Sequence, residues 1–237
     1  MHRENVYGIP VTDNKCGPLL RSVCHDPARS IAHMTLNPKA LEKRHFHESS
    51  DELYFVTQGM GYLHRGNALF NARPGDVLFV PRGISHCIGN TGITSMECLV
   101  VALPPLGRHD VHLEKDEYRQ EHHARPIPPA IMKEAPDGWE TMHYSFKAAT
   151  SIAFSWVTDK KTDRKPPHHH KHTKEMLYVV EGNGTISINS HRTPLAPGDC
   201  IEIKPFTPHA LRTDSPQYMV VASIYTPGYS EKDIHFK

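Results

Sequence analysis

Short apolar runs separated by turn residues recur along most of the chain. They are rich in β-branched and aromatic residues and too short for typical helices, which favours strands. The six clearest runs are Leu53–Thr57, Val77–Val80, Met96–Ala102, Met176–Val180, Cys200–Ile203 and Tyr218–Ile224. Glycine and proline lie between the runs, as expected for tight turns. The pattern predicts an all-β protein of many short strands.

One segment differs from this pattern. Asp110–His123 is highly charged and has prolines on both sides, and we predict a short helix there. We place it within a linker at roughly residues 104–130. The linker divides the chain into an N-terminal domain, residues 1–115, and a C-terminal domain, residues 116–237.

The two halves share one sequence register. The pattern His-x-His-x4-Glu-x6-Gly begins at His45 and begins again at His168, an offset of 123 residues (168 − 45 = 123). The same offset relates Pro74-Gly75-Asp76 to Pro197-Gly198-Asp199, His86 to His209, and Met96 to Met219. A register held over this length predicts two copies of one domain. The first thirty residues have no matching copy, and we expect them to add strands or cover an open edge.

These motifs resemble the cupin superfamily. Its second motif, Gly-x5-Pro-x-Gly-x2-His-x3-Asn, is matched in full by Gly75, Pro81, Gly83, His86 and Asn90. The second half is less regular, with Lys204, Phe206 and Thr213 in place of the motif's Pro, Gly and Asn. The resemblance covers most of the chain beyond about residue 30. It implies two tandem double-stranded β-helix (jelly-roll) barrels, that is, a bicupin.

The resemblance also implies one metal per barrel, held by three histidines and one glutamate. Position by position, the implied ligands are His45, His47, Glu52 and His86 in the first half, and His168, His170, Glu175 and His209 in the second. In the histidine tract of the second half, His168 and His170 keep the register, whereas His170 and His172 would not. Alternation along a strand points both histidines of each His-x-His pair the same way.

Three imidazoles and one carboxylate suit a divalent first-row metal. We favour Fe(II), with Mn, Ni, Cu or Zn as alternatives, and up to two ions per chain. Four protein ligands leave an octahedral ion about two open positions, enough for a chelating substrate or for a substrate and dioxygen. In the second half, Phe206 replaces a glycine in the turn that delivers His209. Whether that site is filled, structural or empty therefore stays open.

Alternation also places Tyr54 on the same face as Glu52, where the second half has Leu177. A phenol there could donate a proton or orient bound oxygen; the alternative is a core tyrosine with a backbone partner. We name Tyr54 and Glu52 as candidate catalytic residues.

Composition excludes several classes of protein. Lys+Arg 27 against Asp+Glu 26 leaves a net charge of +1, so nothing in the charge points to nucleic acid. No apolar run is long enough to span a membrane, and we expect a soluble, cytoplasmic protein. The five cysteines form no Cys-x-x-Cys motif, which disfavours a disulfide framework or a cysteine-built zinc site. We expect a small-molecule substrate and a homodimer.

Three functions fit these residues. The first is a metal-dependent oxidoreductase, an Fe(II)-type dioxygenase acting on a small polar metabolite. The second is a redox-neutral metal-dependent decarboxylase, isomerase or lyase that uses the metal as a Lewis acid. The third is a bicupin that binds a small molecule without turning it over. Four buried titratable groups per barrel are costly unless they have a task, which favours the two enzyme classes.

Overall fold

The computed structural model describes residues 2–114, 122–124, 132–134, 140–146, 150–157, 166–213, 218–228 and 230–236. These residues form strands with two single-turn 3-10 helices, Val6–Gly8 and Glu231–Asp233; the described part of the chain has no α-helix. The strands in chain order are β1 (His2–Asn5), β2 (Leu19–His25), β3 (Ser30–Leu36), β4 (His45–Phe46), β5 (Asp51–Gln58), β6 (Gly61–Arg65), β7 (Ala68–Ala72), β8 (Val77–Val80), β9 (His86–Asn90), β10 (Met96–Leu103), β11 (His112–Leu113), β12 (His122–Ala124), β13 (Met132–Glu134), β14 (Glu140–Phe146), β15 (Thr150–Val157), β16 (His168–His170), β17 (Lys174–Glu181), β18 (Gly184–Ile188), β19 (His191–Leu195), β20 (Asp199–Ile203), β21 (His209–Thr213), β22 (Met219–Thr226) and β23 (Ile234–Phe236). All six predicted strands are present.

The strands belong to two compact units. The first unit is Ile9–Pro128, and the second combines Met1–Gly8 with Pro129–Lys237. The N-terminal octapeptide belongs to the second unit because β1 pairs antiparallel with β20. The predicted domain boundary at residues 115 and 116 stays a prediction.

The first unit contains two sheets that enclose a core. One sheet has the strand order β2-β3-β10-β5-β8, and the other β11-β4-β9-β6-β7-β12. Every pair is antiparallel except β12 with β7. Alternate residues from both sheets meet inside: Met34 and Tyr54 from the first pack in one cluster with Leu63, Phe70 and Ile88 from the second. This arrangement leaves the ends of β4, β5 and β9 close together.

The second unit repeats this plan. Its larger sheet has the order β1-β20-β17-β22-β15-β14-β13, and its smaller sheet β19-β18-β21-β16-β23. Leu177, Ile186 and Ile201 lie in its core cluster. The fold therefore confirms the prediction of two tandem all-β barrels.

The predicted helix Asp110–His123 is wrong where the structure describes it. His112–Leu113 forms β11 and pairs with β4, and His122–Ala124 forms β12 and pairs with β7. Residues 115–121 lie outside the described part. The segment has no apolar stripe at helical spacing, so a helix there would have no face to bury. As strands, β11 and β12 instead form backbone hydrogen bonds with the edges of the sheet.

Candidate metal centre

The four predicted ligands of the first unit converge at one end of its core. His45 begins β4, His47 follows that strand, Glu52 lies in β5 and His86 begins β9. His45 and His86 are paired across neighbouring strands. Each of the four side chains offers a ligand atom, and these atoms lie within 4.8 Å of one another. All four residues are buried.

The main chain fixes the orientation of all three imidazoles. In His45, Nδ1 donates to the carbonyl oxygen of Lys43 at 2.9 Å. In His86, Nδ1 donates to the carbonyl oxygen of Ile84 at 2.9 Å. In His47 it donates to the carbonyl oxygen of Asp110 (2.7 Å). A carbonyl can only accept, so the hydrogen is on Nδ1 and the lone pair of the neutral ring is on Nε2. All three lone pairs are thus available inside the site.

These lone pairs face a carboxylate. Glu52 Oε2 lies 3.1 Å from His86 Nε2 and 3.3 Å from His47 Nε2. His47 Nε2 is buried and makes no properly aligned hydrogen bond. Facing lone pairs at this distance need positive charge between them, as a proton or as a metal ion. The donor set and its orphaned nitrogen therefore fit a divalent transition metal.

The electrostatics of the site favour the ligand forms of His45 and Glu52, whereas the carboxylate of Glu52 and the carbonyl of Asp110 outweigh burial and raise the pKa of His47. Burial, reinforced by neighbouring His86, lowers the pKa of His45 to about 4, so this ring is neutral at pH 7. Burial alone would raise the pKa of Glu52, but its contacts with His47 and His86 hold that pKa well below its usual value. A neutral imidazole and an ionised carboxylate are the forms that bind metals.

Tyr54 lies on the same face of β5 as Glu52, as predicted, and its hydroxyl forms a hydrogen bond with that residue. Its hydroxyl donates to Glu52 Oε2 at 2.8 Å, and the side chain is buried. Burial raises the pKa of Tyr54 well above its usual value, and the nearby Glu42 and Glu52 carboxyl groups add to this effect. The phenol is therefore un-ionised, and it orients the carboxylate in this arrangement.

Asp110 is a residue of the site that we did not predict. Its side chain accepts the N–H groups of Glu48 and Ser49 (both 2.9 Å) and of Ser50 (3.2 Å), and so holds the turn between His47 and Glu52. Its counterpart at the same 123-residue offset, Asp233, accepts from three residues of the equivalent turn. Extending the repeat register past Met96 would have found both aspartates.

The second unit brings together a similar group. Ring nitrogens of His168, His170 and His209 lie within 4.8 Å of one another. Glu175 Oε2 lies 3.3 Å from His209 Nε2 and 3.6 Å from His170 Nε2. Both Glu175 Oε2 and His170 Nε2 are buried without a hydrogen bond. Burial, with His209 nearby, lowers the pKa of His168 to about 3.

The turn that delivers His209 keeps its shape despite the substitution. Phe206 has φ 60, close to the φ 76 of Gly83. The N–H of Phe206 donates to the carbonyl oxygen of His170, as that of Gly83 does to His47, both at 2.6 Å. Phenylalanine thus occupies a backbone conformation that normally favours glycine. His172 lies exposed in the turn after β16, and His168 and His170 are the pair that meets His209.

A cavity of about 300 Å³ opens onto the first-unit site. His45, His47, Glu52 and Tyr54 line one part of it. Lys15 and Arg108 also line it and are exposed, which places two cations near its mouth. Two further lining residues, Cys16 and Glu42, are buried and were not predicted. Neither lies in a motif, and no signal in the sequence distinguishes them.

Fold and site together define a bicupin with a histidine and glutamate cluster in each unit. The family model described as "Cupin domain" matches residues 32–102 and 155–225, more than half of the chain. The chain belongs to the cupin family.

Two curated proteins are similar to part of the chain. An oxalate-binding protein of Thermotoga maritima is 36% identical over 85 residues, which is 36% of this chain and 70% of that protein. An uncharacterised protein of Methanocaldococcus jannaschii is 25% identical over 104 residues, 42% of this chain and 83% of that protein.

Solved structures show the same fold. Oxalate decarboxylase of Bacillus subtilis, as a variant with one tryptophan replaced by tyrosine, superposes with a TM-score of 0.68 at 14% identity and covers 96% of this chain and 78% of its own. Salicylate 1,2-dioxygenase of Pseudoaminobacter salicylatoxidans gives a TM-score of 0.63 at 14% identity, covering 85% of this chain and 69% of its own. In the described part of the chain, no helix is long and apolar enough to cross a membrane.

Proposed function

We propose that the first unit is a metal-dependent enzyme acting on a small organic acid. The observation that carries this proposal is the convergence of three Nε2 lone pairs and the Glu52 carboxylate beside a cavity of about 300 Å³, which His45, His47 and Glu52 line. Such a cavity lies at the small end of ligand-binding pockets. We propose His45, His47, Glu52 and His86 as the ligands, Fe(II) as the favoured metal, and Mn, Ni, Cu or Zn as alternatives.

The cavity walls support an anionic substrate. Lys15 and Arg108 line the cavity and are exposed, so they attract anions towards it; the carboxyl groups of its lining are Asp13, Glu42 and the proposed ligand Glu52. The relative from Thermotoga maritima is named for binding oxalate, a small dianion. We propose a small carboxylate as the ligand that meets the metal directly.

Oxidation with dioxygen is our first candidate for the reaction. Four protein ligands leave about two positions of an octahedral ion for other groups, and one structural neighbour is named as a dioxygenase. Bound Fe(II) would activate dioxygen and return to Fe(II), while the organic acid is oxidised and takes up both oxygen atoms. His45, His47 and His86 would hold the ion through Nε2. Tyr54 would hold Glu52 in its ligating orientation, and the mostly apolar walls would exclude water.

A redox-neutral reaction such as decarboxylation is the second candidate. A second buried carboxyl, Glu42, lines the same cavity and could supply the proton that such a reaction requires. Several structural neighbours are named oxalate decarboxylase. The metal would then serve as a Lewis acid.

We propose that the second unit holds a second metal. His168, His170, Glu175 and His209 repeat the ligand set, but Leu177 replaces the tyrosine. Without that hydroxyl the carboxylate has one hydrogen bond fewer. We therefore assign turnover to the first unit.

The test is turnover of a panel of small carboxylic acids by protein loaded with Fe(II) or with Mn(II), in air and under argon. Turnover that requires air supports the dioxygenase, and equal rates under argon support the redox-neutral enzyme. His45→Gln should abolish turnover, whereas the matched His168→Gln should lower bound metal but retain turnover. Tight binding of acids without any turnover would contradict the enzyme and leave a binding protein.

A further inference from the structure

Glu42 is a buried carboxyl in the cavity wall that is not part of the proposed ligand set. It is 6% exposed and lies three residues before His45. One of its oxygens, Oε2, accepts the N–H of Ile88 at 3.2 Å. In the described part of the chain this is the one hydrogen bond of its side chain, so Oε1 is left for the cavity.

The groups around Glu42 do not neutralise it. Its carboxyl lies within 4.8 Å of the Cys16 thiol and of a ring nitrogen of His45. The cations of the cavity, Lys15 and Arg108, are exposed at its mouth. Burial raises the pKa of Glu42 well above its usual value, and the negative charge of Glu52 raises it further. A buried carboxyl that accepts one N–H group and has no cation beside it in the described part of the chain favours its protonated form, which is a hydrogen-bond donor.

The cavity therefore offers two different recognition groups close together. The first is the set of Nε2 atoms with Glu52, which fits a metal and hence one anionic end of a ligand. The second is Glu42, whose Oε2 accepts from Ile88 and whose Oε1 has no partner in the described part of the chain. A donor facing a cavity is unsatisfied until a ligand or water accepts from it.

We infer that Glu42 is a specificity-determining residue that donates a hydrogen bond to a second oxygen-bearing end of the bound acid. The substrate class is thus a small dicarboxylate, or an oxo or hydroxy acid, rather than a simple monocarboxylate. This inference rests on the proposed function, because it requires that one end of the acid binds at the metal. At the equivalent position the second unit has Lys165, which lies outside the described residues. The two units thus differ in sequence at this position.

Calorimetric titration of Mn(II)-loaded protein with malonate and with propionate tests the inference. The two acids have the same number of carbons, and only malonate has a second carboxylate. The variants are Glu42→Gln, which can accept from Ile88 and still donate to the ligand, and Glu42→Leu, which can do neither. Glu42→Ala replaces the Leu variant if the latter does not load metal. Metal content per chain and melting temperature are measured for every protein.

We expect Glu42→Gln to bind malonate within about threefold of wild type, and Glu42→Leu to bind it at least about tenfold more weakly, as for one lost hydrogen bond to a charged group. Propionate binding should be the same in all variants. Equal malonate binding by wild type and the Leu variant would overturn the inference. Malonate bound about tenfold more tightly by the Gln variant would also overturn it, because it would mean that Glu42 is an anion that repels the ligand.

Failure of the proposed function gives a different result. In that case wild-type protein binds neither acid in a metal-dependent way, and metal-free protein behaves like the loaded protein. Failure of the inference alone leaves metal-dependent binding of both acids intact and insensitive to position 42.

Discussion

Three histidines of the first unit are fixed by the same local device, a hydrogen bond from Nδ1 to a main-chain carbonyl. Two of these carbonyls, of Lys43 and Ile84, lie two residues before the histidine they hold. This hydrogen bond places the ring proton on Nδ1 and leaves Nε2 for the site, and no other side chain takes part in it. The same bond recurs in the second unit at His209, whose Nδ1 donates to the carbonyl oxygen of Thr207 at 2.9 Å.

Tyr54 gives the first prediction at the scale of single residues. In Tyr54→Phe, Glu52 loses a buried hydrogen bond and is held less firmly. We expect about tenfold weaker metal affinity at the first-unit site, as is typical when a partner of a metal ligand is removed. A His168→Gln background removes the second site, and competition with a chelating dye measures the affinity.

Tyr218→Phe is the matched control in the same background. Its hydroxyl donates to Glu181 in an exposed pair at 2.7 Å, away from either histidine cluster. Equal metal affinity for Tyr54→Phe and the control would show that Tyr54 does not hold Glu52.

The residues of the site were predictable to the extent that they lie in motifs. All eight proposed ligands lie in the repeated motifs that resemble the cupin superfamily, and alternation along a strand explains why the two histidines of each pair share a face. Glu42 was not predictable, since only the folded cavity shows that it is buried beside Cys16 and His45. The face of Tyr54 was predictable but its hydrogen bond to Glu52 was not, because alternation along a strand does not identify a partner; its catalytic role stays a prediction.

At the scale of elements, the turns that deliver the ligands keep their hydrogen bonds and backbone geometry in both units. Asp110 and Asp233 hold equivalent turns, although the sequences of those turns differ. Gly83 and Phe206 adopt nearly the same φ. Backbone geometry is therefore retained where the motif residues are not.

Asp110→Ala should destabilise the first unit, because three main-chain N–H groups, of which that of Ser50 is buried, lose a charged acceptor. We expect a loss of about 2–4 kcal/mol in the free energy of unfolding, measured by urea denaturation. Asp110→Asn retains one acceptor oxygen and should lose less. Equal stability of wild type and the Ala variant would contradict the role assigned to this turn.

Wild type and Asp110→Asn should also differ in how their free energy of unfolding depends on pH. Burial alone would raise the pKa of Asp110, but the N–H donors of Ser49, Ser50 and Glu48 hold it below its usual value. Its stabilising effect is therefore full above about pH 4 and is lost as pH falls through the lowered pKa of the folded state. Below pH 4, stability should fall less steeply in Asp110→Asn than in wild type. Parallel curves would contradict this assignment.

Replacement of Phe206 by glycine should stabilise the second unit. A phenylalanine at φ 60 is strained by about 1–2 kcal/mol relative to glycine, and this one is 65% exposed, so little packing is lost with it. Phe206→Gly should raise the free energy of unfolding of the second unit by about 1 kcal/mol, measured by urea denaturation. Gly83→Ala, the converse change in the first unit, should lower it. A destabilised Phe206→Gly would mean that the side chain makes contacts that outweigh the strain.

At the scale of the whole molecule, the sequence repeat predicts the two barrels but not where the N-terminus belongs. The first residues have no copy, so the register says nothing about them. The structure pairs β1 with β20, and Arg3 and Asn5 both bond to Asp199 (2.8 and 3.1 Å). These long-range contacts depend on the fold and leave no local pattern. The predicted homodimer stays a prediction.

Deletion of residues 1–8 should therefore loosen the second unit rather than the first. We expect faster amide hydrogen exchange in β20, which loses its strand partner, and unchanged exchange in β9 of the first unit. Hydrogen exchange with mass spectrometry measures both segments in one experiment. Unchanged protection of Asp199–Ile203, or equal loss in His86–Asn90, would contradict the placement of this strand.

The central claim is that the histidine and glutamate cluster of the first unit holds a transition metal. The most direct measurement is an anomalous difference map, at the metal's absorption edge, from crystals of protein loaded with iron or manganese. The account predicts a peak bonded at about 2.0–2.3 Å to Nε2 of His45, His47 and His86 and to a carboxylate oxygen of Glu52. A map with no peak among these four side chains, at full metal loading, would contradict it.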